Sequence, residues 1–243
     1  MSLIRAVSVT AALAGAAVTT AAAQAAQTEF TLRVENITRG ETLNLSTGGK
    51  APFVLAPVLW VVHTGNTNPL FTGGRAEMMR GLEQLAEEGN TEPLARSLNG
   101  AAGVVKVGAH ARPEGDLTGG PLTPGKAYEF TVTAAPGQYL SLAAMFGQSN
   151  DWFYSNDRPI ALFNGGRPVS GDMTPQLSLW DAGTEVDEEP GLGPNQAPRQ
   201  KAANTGTAEK ESVAHVGGKW TAPGAGKLIR VTVTPANEAV SAK

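Results

Sequence analysis

The sequence predicts an all-β protein, an antiparallel β-sandwich with a short helical insertion around 75–99. Three observations carry that expectation. Phe30 to Asn36 and Tyr128 to Thr133 alternate apolar and polar residues with a period of two. Gly and Pro, 29 and 16 of 243 residues, punctuate the chain often enough for many turns and short strands. Only Arg75 to Asn99 carries apolar residues at helical spacing. With 41% hydrophobic and 17% charged residues, the chain can fill a sizeable core.

Residues 1–26 read as a signal peptide. Arg5 supplies a positive start, Ala6 to Thr20 is an uncharged small-residue run, and the alanines around 21–26 fit a small-x-small cleavage rule. The run falls short of the ~20 strongly apolar residues that span a bilayer, and no later run is long enough to cross a membrane. Cys is absent, which excludes disulfides, thiolate nucleophiles and Cys-based zinc sites. An Ala-rich leader before a Cys-free chain suggests a bacterial export product, secreted or periplasmic. A net charge of −3 gives no electrostatic reason to expect a nucleic-acid partner.

In chain order, Phe30, Leu32 and Val34 form the inward face of a first strand, and Leu43 and Leu45 continue after a turn at Arg39-Gly40. Ala51 to Val62 is almost wholly apolar but contains Pro52 and Pro57. It therefore reads as edge or bulged pieces, or a loop feeding a buried strand at Val58 to Val62. Met78, Met79, Leu82 and Leu85 define a helix that Gly89-Asn90 ends. Thr91 is the predicted cap of a second helix, which stops at Asn99-Gly100. Strands resume at Val104 to His110, Tyr128 to Thr133 and Tyr139 to Phe146. The last two, joined through Ala135-Pro136-Gly137, are expected to pair as a hairpin. Ile160 to Phe163, Pro175 to Trp180 and Lys227 to Thr234 complete the set. From Asp181 to about Ala225 little periodicity remains, and so long a loop is usually functional or disordered. Its second half, Lys201 to Gly218, has few apolar anchors and is expected to be mobile.

The chemistry candidates lie near that loop. Asp181 and Glu185 are four residues apart, with Gly183 between them. Gly at positive φ would let two carboxylates fold back on one point. Calcium takes six to eight oxygens from carboxylates, carbonyls and water, which an irregular acidic loop supplies. Acids in a loop are also often merely solvated. Asp151 lies between Asn150 and Trp152; a poorly hydrated acid there needs a partner, and a metal, a backbone amide or Arg158 would serve. Asp187, Glu188 and Glu189 read as a solvated run. His63, His110 and His215 have no ligand spacing, and no G-x-S-x-G nucleophile motif is present.

Ser149-Asn150-Asp151-Trp152-Phe153, then Leu179-Trp180-Asp181-Ala182-Gly183-Thr184-Glu185, then Pro194-Asn195-Gln196-Ala197-Pro198, resembles the spondin N-terminal domain family. That is an extracellular-matrix domain with secreted bacterial relatives. The likeness runs over 28–235, leaving 236–243 as a C-terminal tail. The resemblance implies a sandwich related to C2 domains and one structural calcium ion. It implies Asp151, Asp181 and Glu185 as the metal ligands. The animal pattern has Asp where this chain has Glu185, which is one methylene longer and still an oxygen ligand.

The expectation is thus a calcium-binding, non-enzymatic module for binding or adhesion, with an extracellular glycan, lipid or protein as ligand. The alternative is a carbohydrate-active hydrolase. It would use Asp181, Glu185 and Asp151 as acid and base, flanked by Trp152 and Trp180 for sugar stacking.

Overall fold

The computed structural model describes residues 27–77 and 80–236. The predicted signal peptide and residues 237–243 of the predicted tail lie outside them, as do Met78 and Met79. The first strands are β1 (Thr28–Asn36), β2 (Glu41–Asn44), β3 (Lys50–Pro52) and β4 (Val58–Thr64). Helices α1 (Leu82–Glu88) and α2 (Glu92–Leu98) follow, then β5 (Val104–His110), β6 (Ala127–Ala134), β7 (Gln138–Met145) and β8 (Trp152–Asn156). The short pieces β9 (Ile160–Ala161), β10 (Phe163–Asn164), β11 (Arg167–Pro168) and β12 (Gly171–Asp172) precede β13 (Leu177–Asp181). The last described elements are β14 (Ala214–His215), α3 (Ala225–Leu228) and β15 (Ile229–Pro235).

Two antiparallel sheets make the sandwich. One has the order β12-β15-β1-β6; the other has the order β14-β13-β8-β7-β4-β5, with β9 also on β7. The alternation of β1 does what its pattern predicts: Phe30, Leu32 and Val34 are buried between the sheets. They meet Val58, Trp60, Val62, Leu142 and Tyr154 of the opposite layer in one cluster. The near-continuous apolar run of β4 has a different cause. Its other face, Leu59 and Val61, packs with Leu82, Leu85, Leu94 and Leu98 of the helices in a second cluster. A strand covered on both sides has no solvent face to keep polar.

The helical insertion is shorter than its spacing predicts. Gly81 takes φ 106° at the start of α1, a left-handed conformation that breaks the pattern ahead of Leu82. A Cβ on Gly81 would lie 2.4 Å from the Leu94 nitrogen, so the bare backbone also lets α1 and α2 approach. Thr91 stands at the α2 N-cap but makes no side-chain cap. Instead Asn90 Oδ1 accepts the Glu92 N–H at 3.2 Å.

The predicted hairpin of β6 and β7 does not form. β6 pairs with β1, while β7 pairs with β4, β8 and β9. The turn at Ala135–Gly137 therefore crosses between layers. The burial of each strand explains it. β6 is an edge strand with exposed positions, whereas Leu140 to Met145 of β7 are all buried and require neighbours on both sides. No helix among the described residues is long and apolar enough to cross a membrane.

Candidate metal centre

Strand register brings the first two acids together. β13 runs antiparallel to β8 with Asp181 opposite Trp152, so Asp151, one residue before β8, lies diagonally beside Asp181. The Ala182 N–H donates to the Asp151 carbonyl at 3.1 Å and extends the ladder past both acids. Gly183 then turns the chain at φ 68°, and its N–H donates to Asp181 Oδ1 at 2.7 Å. This is the positive-φ glycine that the sequence predicts between Asp181 and Glu185.

Asp151 is fully buried. Its Oδ2 accepts the Thr184 N–H at 2.8 Å, the Thr184 hydroxyl at 3.2 Å and the Glu185 N–H at 3.1 Å. Its Oδ1 is enclosed and meets no donor among the described residues, although a proton on Asp151 would be shared with the Asp181 carboxylate. A buried carboxylate oxygen without a partner is costly, and burial raises its pKa. Burial and then the Asp181 charge push Asp151 up to about 8, against the opposing pull of the Glu185 and Thr184 amides. Asp181 is raised by burial. Asp187 rises to about 6, chiefly by burial and then by Asp181, although Trp152 Nε1 donates to its Oδ1 at 2.5 Å.

The third member of the cluster is Glu209. Asp151, Asp181 and Glu209 each offer a carboxylate oxygen, and these oxygens all lie within 4.8 Å of one another. Burial first, then Glu211, Asp181 and Asp187, raise the Glu209 pKa. Such a triad could hold a metal ion. A cation among these oxygens would give Asp151 Oδ1 a partner and relieve the like-charge repulsion.

Glu185 is placed differently. Its N–H is in the site, but its carboxylate, buried at 2% exposure, turns away from it. Oε2 accepts the Asn150 side-chain amide at 3.2 Å and Oε1 accepts the Gly206 N–H at 2.7 Å. The cause is a short antiparallel pairing inside the long loop. Glu185 bridges Ala208, Val186 N–H donates to Thr207 O at 2.8 Å, and Glu209 N–H donates to Thr184 O at 2.9 Å. Thr184 and Glu209 are thereby opposite each other and share the face toward Asp151. Glu185 and Ala208 take the opposite face.

That pairing also holds down the second half of the loop, for which the sequence predicts mobility. The Glu211 and Val213 N–H groups continue it, donating to Gly183 O and Arg75 O at 2.9 Å each. Of the acids after Glu185, Asp187 and Glu188 are half-buried with named donors and not solvated, while Glu189 lies at the surface. Glu188 accepts the backbone and side-chain N–H groups of Asn195 at 3.0 and 2.6 Å. Glu189 accepts the Ser46 N–H at 2.5 Å and its hydroxyl at 2.6 Å. The Gln196 side chain, wholly buried, accepts the Gly191 N–H and donates to the Glu189 carbonyl, so the Asn195-Gln196 motif braces the loop.

His63 is buried against the Ser141 hydroxyl at 3.0 Å, and burial lowers its pKa. Arg158 is not the partner of Asp151, whose recorded donors are Thr184 and Glu185. Sequence reasoning missed Glu209. It is one acid in the aperiodic segment 201–218, and only its pairing with Thr184 reveals its position. Comparison with protein-family models and with curated proteins finds no match.

Proposed function

We propose that this chain is an exported calcium-binding module of the spondin type, whose task is binding or adhesion at a cell surface or in the extracellular or periplasmic space. The observation that carries the reading is the fully buried Asp151 carboxylate, whose enclosed Oδ1 meets no donor among the described residues and which has an oxygen within 4.8 Å of those of Asp181 and Glu209. An all-carboxylate set with no sulfur or imidazole favours a hard cation, and calcium tolerates the irregular geometry of a loop. Millimolar calcium outside the cell would suffice, because extracellular modules work at dissociation constants of ~10⁻⁴–10⁻³ M. The ion would join the end of β13 to the distal loop through Glu209.

The burial of the tryptophans supports a binding role over the hydrolase alternative. Trp152 is 0% exposed and Trp180 8% exposed, so neither presents a ring face for a sugar. Calorimetric titration of calcium into the chelator-treated protein tests the reading, with one ion per chain as the expected result. No heat at millimolar calcium would defeat it. In parallel, Asp181→Asn is expected to lose the calcium response and show no change on a glycan-hydrolysis panel. A lost turnover with calcium binding intact would favour the enzyme.

A further inference from the structure

Resting on that calcium reading, we propose that Glu209, not Glu185, supplies the third carboxylate to the cation, and that Glu185 is a positioning residue that latches the loop so that Glu209 reaches it. The two carboxylates lie on opposite faces of the same short ladder. Both oxygens of Glu185 are occupied, Oε2 by Asn150 and Oε1 by the Gly206 N–H. Glu209 stands across from Thr184, whose N–H and hydroxyl both grip Asp151 Oδ2. Contact with the ion therefore follows the register of the ladder and not the four-residue spacing in the sequence.

The latch is built for a close approach. A Cβ on Gly206 would lie 2.0 Å from Glu185 Oε2, so only a bare backbone fits over this carboxylate. Gly183, at the other end of the ladder, presses on Glu211 in the same way: a Cβ there would lie 2.8 Å from the Glu211 carbonyl carbon. Asn150 joins the two halves of the site. Its side-chain amide donates to Glu185, and its Oδ1 accepts the Glu188 N–H at 3.1 Å. The residue just before Asp151 thus holds the loop that brings Glu209 in. Glu185→Gln would present an amide N–H to the Asn150 amide and lose that half of the latch, while the Gly206 contact survives through the remaining oxygen.

The test uses the full chain with calcium and terbium(III) as probes. Terbium luminescence lifetimes in H2O and D2O count the waters on the bound ion. Glu209→Ala is expected to add about one bound water and to weaken calcium ~10-fold or more, because an oxygen ligand and a charge are lost. Glu185→Gln is expected to leave the water count as in the wild type and to weaken calcium only several-fold. An unchanged water count in Glu209→Ala overturns the ligand assignment, and a wild-type calcium affinity in Glu185→Gln overturns the positioning role. If the wild-type chain binds neither ion, the calcium reading itself fails. That result is distinct from a wild type that binds while Glu209→Ala is silent.

Discussion

Asp151→Asn isolates the ion from the fold. The three donors on Asp151 fall on Oδ2 alone, and Oδ1 has none among the described residues. Asn can place its oxygen under those donors and its NH2 where Oδ1 stands, with no change of shape. The wild-type carboxyl, raised to about 8 by burial and Asp181, is largely protonated at pH 7 without a cation. The calcium-free variant should therefore melt close to the wild type, within ~1 kcal/mol. Calcium should separate them. Binding to the folded form alone adds about 2.7 kcal/mol at a hundredfold excess over the dissociation constant. For a domain of this size that is a rise of roughly 5–11 °C in melting temperature. With a dissociation constant of ~10⁻⁴ M, about 10 mM calcium reaches that excess. Differential scanning calorimetry in chelator and in calcium reads the difference. An equal rise in Asp151→Asn, or no rise in the wild type, would refute the role assigned to the buried oxygen.

Three further outcomes follow from the same geometry. Calcium binding at pH 7 should release close to one proton, because the Asp151 carboxyl sits at about 8 before binding and must ionise to ligate. Affinity therefore falls as pH drops below about 8, and calorimetry in buffers of different ionisation enthalpy measures the release. Glu87 of α1 is 2% exposed, and burial raises it to about 7 against the opposing pull of a hydrogen bond with the Thr184 side chain. A carboxyl raised in the fold favours folding at low pH and costs stability as pH climbs from its unfolded value through 7. Glu87→Gln should stabilise the calcium-free chain by on the order of 2–3 kcal/mol at pH 8.5 and by little at pH 4.5, as read by urea unfolding. Gly81→Ala should destabilise by roughly 2–4 kcal/mol in the same assay, since the new Cβ would meet backbone 2.4 Å away at a φ of 106°. A variant as stable as wild type would show that α1 and α2 can part without loss.

The strands of the sandwich were legible where one face meets water. Phe30, Leu32 and Val34 alternate with Thr31, Arg33 and Glu35, and the structure buries the first three. β4 was legible as buried, but its second apolar face could not be assigned until the helices were seen to cover it. The partner of β7 was illegible for a related reason. A strand buried on both sides carries no alternation, and a short Pro-Gly turn reads the same whether it closes a hairpin or crosses between layers. At the site, Asp151, Asp181 and Gly183 lie at the ends of strands whose patterns locate them. Glu209 takes the place expected of Glu185 because it pairs with Thr184, one residue before Glu185 and on the other face, and a one-residue step in register leaves no mark in composition. Thr91 failed as a side-chain cap because Asn90, one residue earlier, reaches the same first turn.

The most direct measurement is an anomalous-difference map from crystals of the protein grown with terbium(III) in place of calcium. One strong peak is expected within about 2.3–2.6 Å of Asp151 Oδ1, shared with carboxylate oxygens of Asp181 and Glu209. A map without density there, or with Asp151 Oδ1 turned onto a protein donor, would contradict that expectation.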